Sequence, residues 1–401
     1  MGEPVIVEAV RTPIGRRNGA LRDVHPTDLG ATVLNELVRR THIDPEMVNL
    51  VIFGCVSQVG EQSVNVARNT LISAGWPIEV PATTVDFQCG SSEQAIHFAA
   101  GMVKAGVYDM VVAGGVESMT RVPMGSNTSV AGSPVTRRYT DRYDFVPQGI
   151  SAEMLVDMWK LNREQLDAFS LSSHQKATAA WEAGRFDNEV VPVAVKELAQ
   201  TPRAEWAEKP PSPFIESDGF FRRDEGIRPD TSLESLGNLK PAFRPDGRIT
   251  AGSSSQISDG AAAVLIMSEE KAAALGLRPR ARIVSQQVVG VNPTTMLTGP
   301  IPATQQLLEK NHLRIDQLDA IEINEAFASV PLAWEKELHP DMSKVNINGG
   351  AIALGHPLGC SGARLMTTLL NVLDQVNGKL GLQTMCCGGG LGIATLVERL
   401  A

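Results

Sequence analysis

Residues 83–100 read TTVDFQCGSSEQAIHFAA, a short β-branched run followed at once by a stretch rich in Ala and Gln. Gly90, Ser91 and Ser92 stand at the junction, so the pattern predicts a strand that turns directly into a helix. Cys89 then faces the helix N-terminus, where unpaired N–H groups and the positive dipole end favour a thiolate over a thiol whose free pKa is ~8.5. Taken alone, such a cysteine is better explained as a buried structural thiol. Three further polar sites change the reading: Asn324 in EINEAFA (322–328), His356 in NGGAIALGHPLGCSGAR (348–364) and Cys386 in TMCCGGGLGIA (384–394).

Three kinds of segment recur in the same order toward both ends of the chain. VNLVIFGCV (48–56), VPATTVDFQCGSSEQAIHFAA (80–100) and YDMVVAGGVESM (108–119) are answered by LDAIEINEAFA (318–328), KVNINGGAIALGHPLGCSGARLMTTLL (344–370) and LGLQTMCCGGGLGIATLV (380–397). Each set reads as strand, turn into helix, strand into glycine loop, which predicts a duplicated α/β half with buried strands. Between about Thr120 and Arg248 the composition differs. SNTSVAGSPVTRRYTDRYDF (126–145) has loop chemistry and EKPPSPF (208–214) is a Pro-rich connection. NREQLDAFSLSSHQKATAAWEAGRF (162–186) has amphipathic helical periodicity, with Asn162 as N-cap and Gln165 completing a capping box.

A chain of 401 residues, 43% of them hydrophobic, can bury a large core and divide into two or three domains. The 36 glycines and 24 prolines suit many short turns. A net charge of −9 argues against a nucleic-acid partner and against an anionic membrane surface. The start MGEPVIVEAV lacks a basic segment followed by an apolar core, and five cysteines form no even framework, so a reducing cytoplasm is expected. No apolar run reaches the ~18 residues of a membrane span, and the end VERLA is not a peroxisomal address. Without a C-x-x-C pair or matching His/Cys spacing, no metal site is expected.

The chain resembles the thiolases, the acyl-CoA C-acyltransferases. The likeness runs from VIVEAVRTPIGRRNGAL (5–21) through YDMVVAGGVESMTRVPMG (108–125), LKPAFRPDGRITAGSSSQISDGAAAV (239–264) and GPIPAT (299–304) to CCGGGLGIATLVERL (386–400). GHPLGCSGAR together with NEAFA is highly specific. The resemblance implies an α/β thiolase fold: duplicated βαβαβαββ halves in a five-layered αβαβα arrangement with an inserted loop domain. The N-terminal half would span 1–119, completed by about 249–270. A loop domain over 120–248 would cover the active site and bind coenzyme A, and the C-terminal half would span 271–401.

Cleaving a 3-ketoacyl thioester between C2 and C3 needs a nucleophile, stabilisation of an enolate leaving group, and an acid for that carbon. Cys89 suits the first role, since sulfur attack leaves an acyl-thioester that a second thiol resolves. His356 can take the thiol proton or donate to an oxyanion. By resemblance, Asn324 holds a water that forms an oxyanion hole with His356, a device worth ~3 kcal/mol in the transition state. The resemblance likewise implies that Cys386 is the acid/base at C2 and that the N–H groups of Gly388 and Cys89 form a second oxyanion hole. The adjacent Cys387 leaves an ambiguity between two thiols, and Glu325 is a structural partner. Arg228 matches a position near the adenine of coenzyme A, Ala251 and Ser255 the pantetheine contact, and Phe243, Met296 and Phe327 the acyl pocket; without the resemblance, the three apolar residues would be read as core. Coenzyme A is the co-substrate, with no permanently bound cofactor, and a homodimer or homotetramer is implied.

The expected function is that of a degradative 3-ketoacyl-CoA thiolase releasing acetyl-CoA or propionyl-CoA. The alternatives are a biosynthetic acetoacetyl-CoA thiolase running the Claisen condensation and a catalytically silent acyl-CoA or lipid-binding homologue. Three places depart from the family pattern: Ser92 where Gly is commoner, Glu93 where an apolar residue is common, and Pro147-Gln148 in place of the His-Met pair of biosynthetic short-chain thiolases. QCGSS with QGISAE is closer to actinobacterial lipid- or sterol-degrading types.

Overall fold

Residues 2–129, 132–199 and 210–400 are described by a computed structural model. Val130 and Ala131 of the loop-like stretch, and Glu208 and Lys209 of the Pro-rich connection, lie outside them. The main elements of the first part are β1 (Pro4–Arg11), α1 (Pro26–Thr41), β2 (Leu50–Gly54), α2 (Val66–Ser73), β3 (Ala82–Val85), α3 (Ser91–Lys104) and β4 (Met110–Ser118). A long connection carrying α4 (Gln148–Met158) and α5 (Arg163–Glu182) leads to β5 (Ser258–Ser268). The second part holds β6 (Ala281–Gly290), α6 (Pro300–Lys310), β7 (Ala320–Ile323), α7 (Ser329–Leu338), α8 (Ser361–Gln375), β8 (Leu380–Cys387) and β9 (Leu391–Arg399).

The strands join in the order β3-β2-β4-β5-β1-β6-β9-β8-β7. The first five repeat in the last four with the same connectivity. β2 runs parallel to β3 and β4, which is antiparallel to β5, itself antiparallel to β1. Correspondingly β7 is parallel to β8, which is antiparallel to β9, itself antiparallel to β6. The two sets meet edge to edge at Val5↔Arg282 and Ile6↔Ala281. The partner of β3 in the second set has shrunk to one parallel bridge, Ile321↔Val345. Asn346 explains the loss: its φ of 45° ends extended backbone, and its side chain brackets Ile323, accepting from its N–H and donating to its carbonyl at 2.9 Å each.

Strand periodicity builds the layers. Val51 and Phe53 of β2 and Val112 of β4 point to one face, where they cluster with Leu34 and Leu37 of α1 and Leu71 of α2. Ile52 and Val111 point to the other face, against Ile96 and Val103 of α3 and Met366 and Leu369 of α8. Ile283 of β6 and Val397 of β9 reach the same two helices from the second half. Leu307 of α6 and Trp334 of α7 cover that half's outer face over Ile321, Leu382 and Leu396. The result is the expected αβαβα stack, with α3 and α8 as its middle layer. Their crossing is tight enough that a Cβ on Gly362 would lie 2.3 Å from the Glu93 nitrogen, so glycine is required there.

The long connection is anchored to the sheet by Arg11 of β1, whose buried guanidinium donates to Glu189 at 2.6 Å and Asp224 at 2.8 Å. Removing one member of such a buried pair typically costs ~3–5 kcal/mol. Within the connection, Asn162 caps α5 through the capping box read from the sequence.

Candidate active site

The strand-to-helix junction is as expected: β3 ends at Val85, Gln88 takes a positive φ of 51°, and Gly90 precedes the first residue of α3. Cys89 is held there at 4% exposure. Burial pushes its thiol up to about 11, although hydrogen bonds from the N–H groups of Gly388 and Cys89 itself, and from the Gln148 side chain, act to lower it. The helix end therefore does not set a low thiol pKa; desolvation outweighs the dipole and the local donors. A base is needed to ionise this sulfur.

Cys386 and Cys387 end β8, and strand alternation sends their side chains to opposite faces. Cys386 shares an apolar cluster with Met296 and Phe327, whereas Cys387 clusters with Cys89, Phe87 and Leu358. The Cys387 sulfur fills the space beside Gly90, 2.7 Å from where a Cβ there would sit. Burial and then Cys89 hold both thiols well above the ordinary range. After them, Gly388 faces two amides, Gln148 Nε2 and Gln88 Oε1, each 3.0 Å from the position of a Cβ added to it.

His356 follows Gly355, whose φ of 109° is closed to other residues, and is 4% exposed. Its Nδ1 lies 2.6 Å from Ser361 Oγ, and that hydroxyl donates to the Pro357 carbonyl at 2.7 Å. With the single hydroxyl proton so used, Nδ1 carries the hydrogen and Nε2 the lone pair. Nε2 faces Asn324 Nδ2 at 3.3 Å. Burial, then Arg364, depress the imidazole to about 3, so it is neutral near pH 7 and able to accept a proton at Nε2. Ser361 was not among the sequence candidates, although its spacing of five residues from His356 lies within one motif. Ser361→Ala is expected to lower kcat by about tenfold or more, with little change in KM or melting temperature, because the tautomer is no longer held; unchanged steady-state kinetics would contradict this.

Asn324 is fully buried, and its N–H donates to the Thr384 carbonyl at 3.0 Å, two residues before Cys386. Its Oδ1 has no hydrogen-bond partner among the described residues. Glu325 accepts from Ser173 at 2.6 Å, Asn346 at 2.8 Å and the Ile352 N–H at 3.1 Å, tying α5 to the loop ahead of His356.

Phe243 stacks edge-on against Phe327 with ring centroids 5.7 Å apart, and Met296 and Phe327 are nearly buried. Ala251 is exposed, and the Ser255 N–H donates to the Ala326 carbonyl at 2.9 Å, placing Ser255 beside Phe327. Arg222, Arg244 and Arg248 are committed to carboxylates. Exposed Arg228 has no ion pair among the described residues, while its backbone N–H donates to His174 Nδ1 at 3.2 Å.

Two of the departures are structural. Ser92 Oγ accepts from the Ala363 N–H at 2.9 Å across the helix crossing. Glu93 is fully buried, accepts from Thr395 Oγ1 at 2.6 Å and is pushed by burial to about 8. Among the described residues there is no group of three or more His, Cys, Asp or Glu placed to hold a metal ion, and no helix long and apolar enough to cross a membrane.

Comparison with known proteins agrees with this geometry. Residues 4–270 match the family model "Thiolase, N-terminal domain", and 277–399 match "Thiolase, C-terminal domain". The chain is 46% identical to a steroid 3-ketoacyl-CoA thiolase of Mycobacterium tuberculosis, over 100% of this chain and 95% of that protein. It is likewise 46% identical to a 3-ketoacyl-CoA thiolase of Chromohalobacter salexigens, over 99% and 98%. The crystal structure of the Bacillus anthracis acetyl-CoA acetyltransferase superposes with a TM-score of 0.88 at 40% identity, covering 100% of this chain and 99% of that one. Matched along both halves and at full length, the chain belongs to the thiolase family of acyltransferases.

Proposed function

We propose that the protein cleaves 3-ketoacyl-CoA with coenzyme A to acetyl-CoA or propionyl-CoA and a shortened acyl-CoA, through an acyl group carried on Cys89. The observation that supports it most is the contact of neutral His356 with Asn324, whose backbone N–H donates to the Thr384 carbonyl two residues before Cys386. In this reading His356 Nε2 takes the Cys89 proton, and the thiolate attacks the C3 carbonyl. The C2–C3 bond breaks with its electron pair moving into the thioester enolate, stabilised by donation from Asn324 and protonated His356. Cys386 delivers a proton to C2, and the shorter thioester leaves. The thiol of coenzyme A then loses its proton to the site and attacks the acyl-Cys89 carbonyl, expelling the Cys89 thiolate. The N–H groups of Cys89 and Gly388 carry the oxyanion charge in the attacks at the acyl carbon.

The apolar cluster of Met296 and Phe327, roofed by Phe243, is the proposed acyl pocket, with Ala251 and Ser255 along the pantetheine arm. The loop segment 120–248 is proposed to cover the site and to bind coenzyme A. A cytoplasmic homodimer or homotetramer completes the reading. Thiolysis measured across short, long and sterol-side-chain 3-ketoacyl-CoAs tests it. A clear kcat/KM maximum supports a degradative enzyme and assigns its chain length; condensation of acetyl-CoA alone, without thiolysis of longer substrates, would favour the biosynthetic reading.

Arg228 is proposed to contact the nucleotide end of coenzyme A, because it is the arginine of its segment left without a carboxylate or a ring. Arg228→Ala is expected to raise KM for coenzyme A several-fold and to leave kcat at saturation nearly unchanged, since a remote contact contributes mainly to binding. An unchanged KM with a collapsed kcat would place Arg228 elsewhere.

A further inference from the structure

Glu117 lies in YDMVVAGGVESM (108–119), one residue before the end of β4, and is fully buried. Its Oε2 accepts from the N–H groups of Val56 at 2.8 Å and Gly359 at 2.9 Å. Its Oε1 accepts from the Ser57 N–H at 3.0 Å and from Gln62 Nε2 at 2.9 Å. One carboxylate thus joins two loops far apart in sequence: residues 55–57, which follow β2, and the turn Leu358–Cys360. Both loops reach the nucleophile, since Val56 and Leu358 share an apolar cluster with Cys89.

The turn lies between His356 and Ser361, whose 2.6 Å contact spans it. Within it the N–H groups of Cys360 and Ser361 both donate to the Pro357 carbonyl, at 3.1 and 3.0 Å, which makes it a compact unit. Glycines let this unit sink onto the strand ends. A Cβ on Gly359 would lie 2.6 Å from Cys55 Cα, and a Cβ on Gly115 would overlap the Gly359 carbonyl. One on Gly54 would lie 2.7 Å from that carbonyl oxygen and 2.5 Å from the Ser92 nitrogen, in the first turn of α3. The loop of His356 is therefore seated against the helix that begins two residues after Cys89.

We propose that Glu117 is a positioning residue for the reaction: by holding the Gly359 N–H, its carboxylate sets the turn after His356 against the start of α3 and fixes where the base stands relative to Cys89. The inference rests on Cys89 as nucleophile and His356 as its base. A carboxylate suits the place because all four partners are donors, two to each oxygen, and an amide would turn its own N–H groups onto two of them. Burial pushes the carboxyl up, and the same four N–H groups act to lower it. Placement of a base matters steeply, since a displacement of ~1 Å can slow a reaction about a hundredfold.

The test measures single-turnover acylation of Cys89 by an acyl-CoA, per folded molecule, with melting temperature followed in parallel. Glu117→Gln is expected to slow acylation about ten- to a hundredfold, with kcat falling alongside and KM changing less. Gln62→Met removes a different donor from the same carboxylate and leaves the bond to Gly359. It should lower the melting temperature while acylation stays within about twofold of wild type. In a His356→Ala background, Glu117→Gln should slow acylation no further, because its effect passes through the base. If Glu117→Gln does not fold, Glu117→Asp, which keeps the charge and shortens the reach, is expected to show the slowing. Wild-type acylation in either folded Glu117 variant, equal slowing by Gln62→Met, or slowing that persists undiminished without His356 overturns the proposal. A His356→Ala variant that acylates at the wild-type rate overturns the reading of the base instead.

Discussion

Cys89→Ala is expected to lose thiolysis by at least about a thousandfold while circular dichroism and melting temperature stay near those of the wild type. Truncation removes the reacting atom and leaves a small space beside Phe87 and Leu358, within an apolar cluster that is otherwise kept. The other two thiols are poor substitutes: the Cys387 sulfur fills the space under Gly90, and burial holds Cys386 well above the ordinary thiol range. Residual turnover above about a tenth of wild type would mean that another group carries the acyl chain.

Cys386→Ser should abolish exchange of the C2 protons of acetyl-CoA with deuterium, by about a hundredfold or more, while Cys89 still accepts an acyl group from a simple acyl-CoA. A hydroxyl keeps the approximate size but has a much higher pKa than a thiol. Cys387→Ser should retain most exchange and turnover, because its sulfur faces Gly90 rather than the pocket of Met296 and Phe327. Proton exchange read by mass spectrometry, with acylation followed in parallel, separates the two thiols. Loss of exchange only in the Cys387 variant would assign the base to the other sulfur.

Local patterns were legible in the sequence wherever they arise from neighbours along the chain. The turn into α3 at Gly90 and the capping box at Asn162 are fixed within a few residues, and both occur as read. The duplicated halves were visible as the order of segments, but the reduction of one strand to a single bridge was not, because it depends on Asn346 reaching across to Ile323. The direction of the Cys89 thiol was misjudged for a similar reason. A helix N-terminus is visible in sequence, whereas the burial that outweighs it comes from β8, β9 and the loop after Pro357. Among the arginines of 222–248, only the fold shows which are tied to carboxylates. Gln148 is about sixty residues from Cys89 in sequence and stands out there only as a departure from the family pattern; its nearness to Gly388 is a property of how α4 is seated.

Passage of the acyl group through Cys89 is tested most directly by mixing the protein with a 3-ketoacyl-CoA in the absence of free coenzyme A. The reaction is quenched in acid and the peptides are mapped by mass. The mass of the shortened acyl chain is expected on the single peptide containing Cys89, removable by added coenzyme A with formation of the matching acyl-CoA. An acyl mass on the peptide of Cys386 and Cys387, or turnover without any covalent adduct, would contradict it.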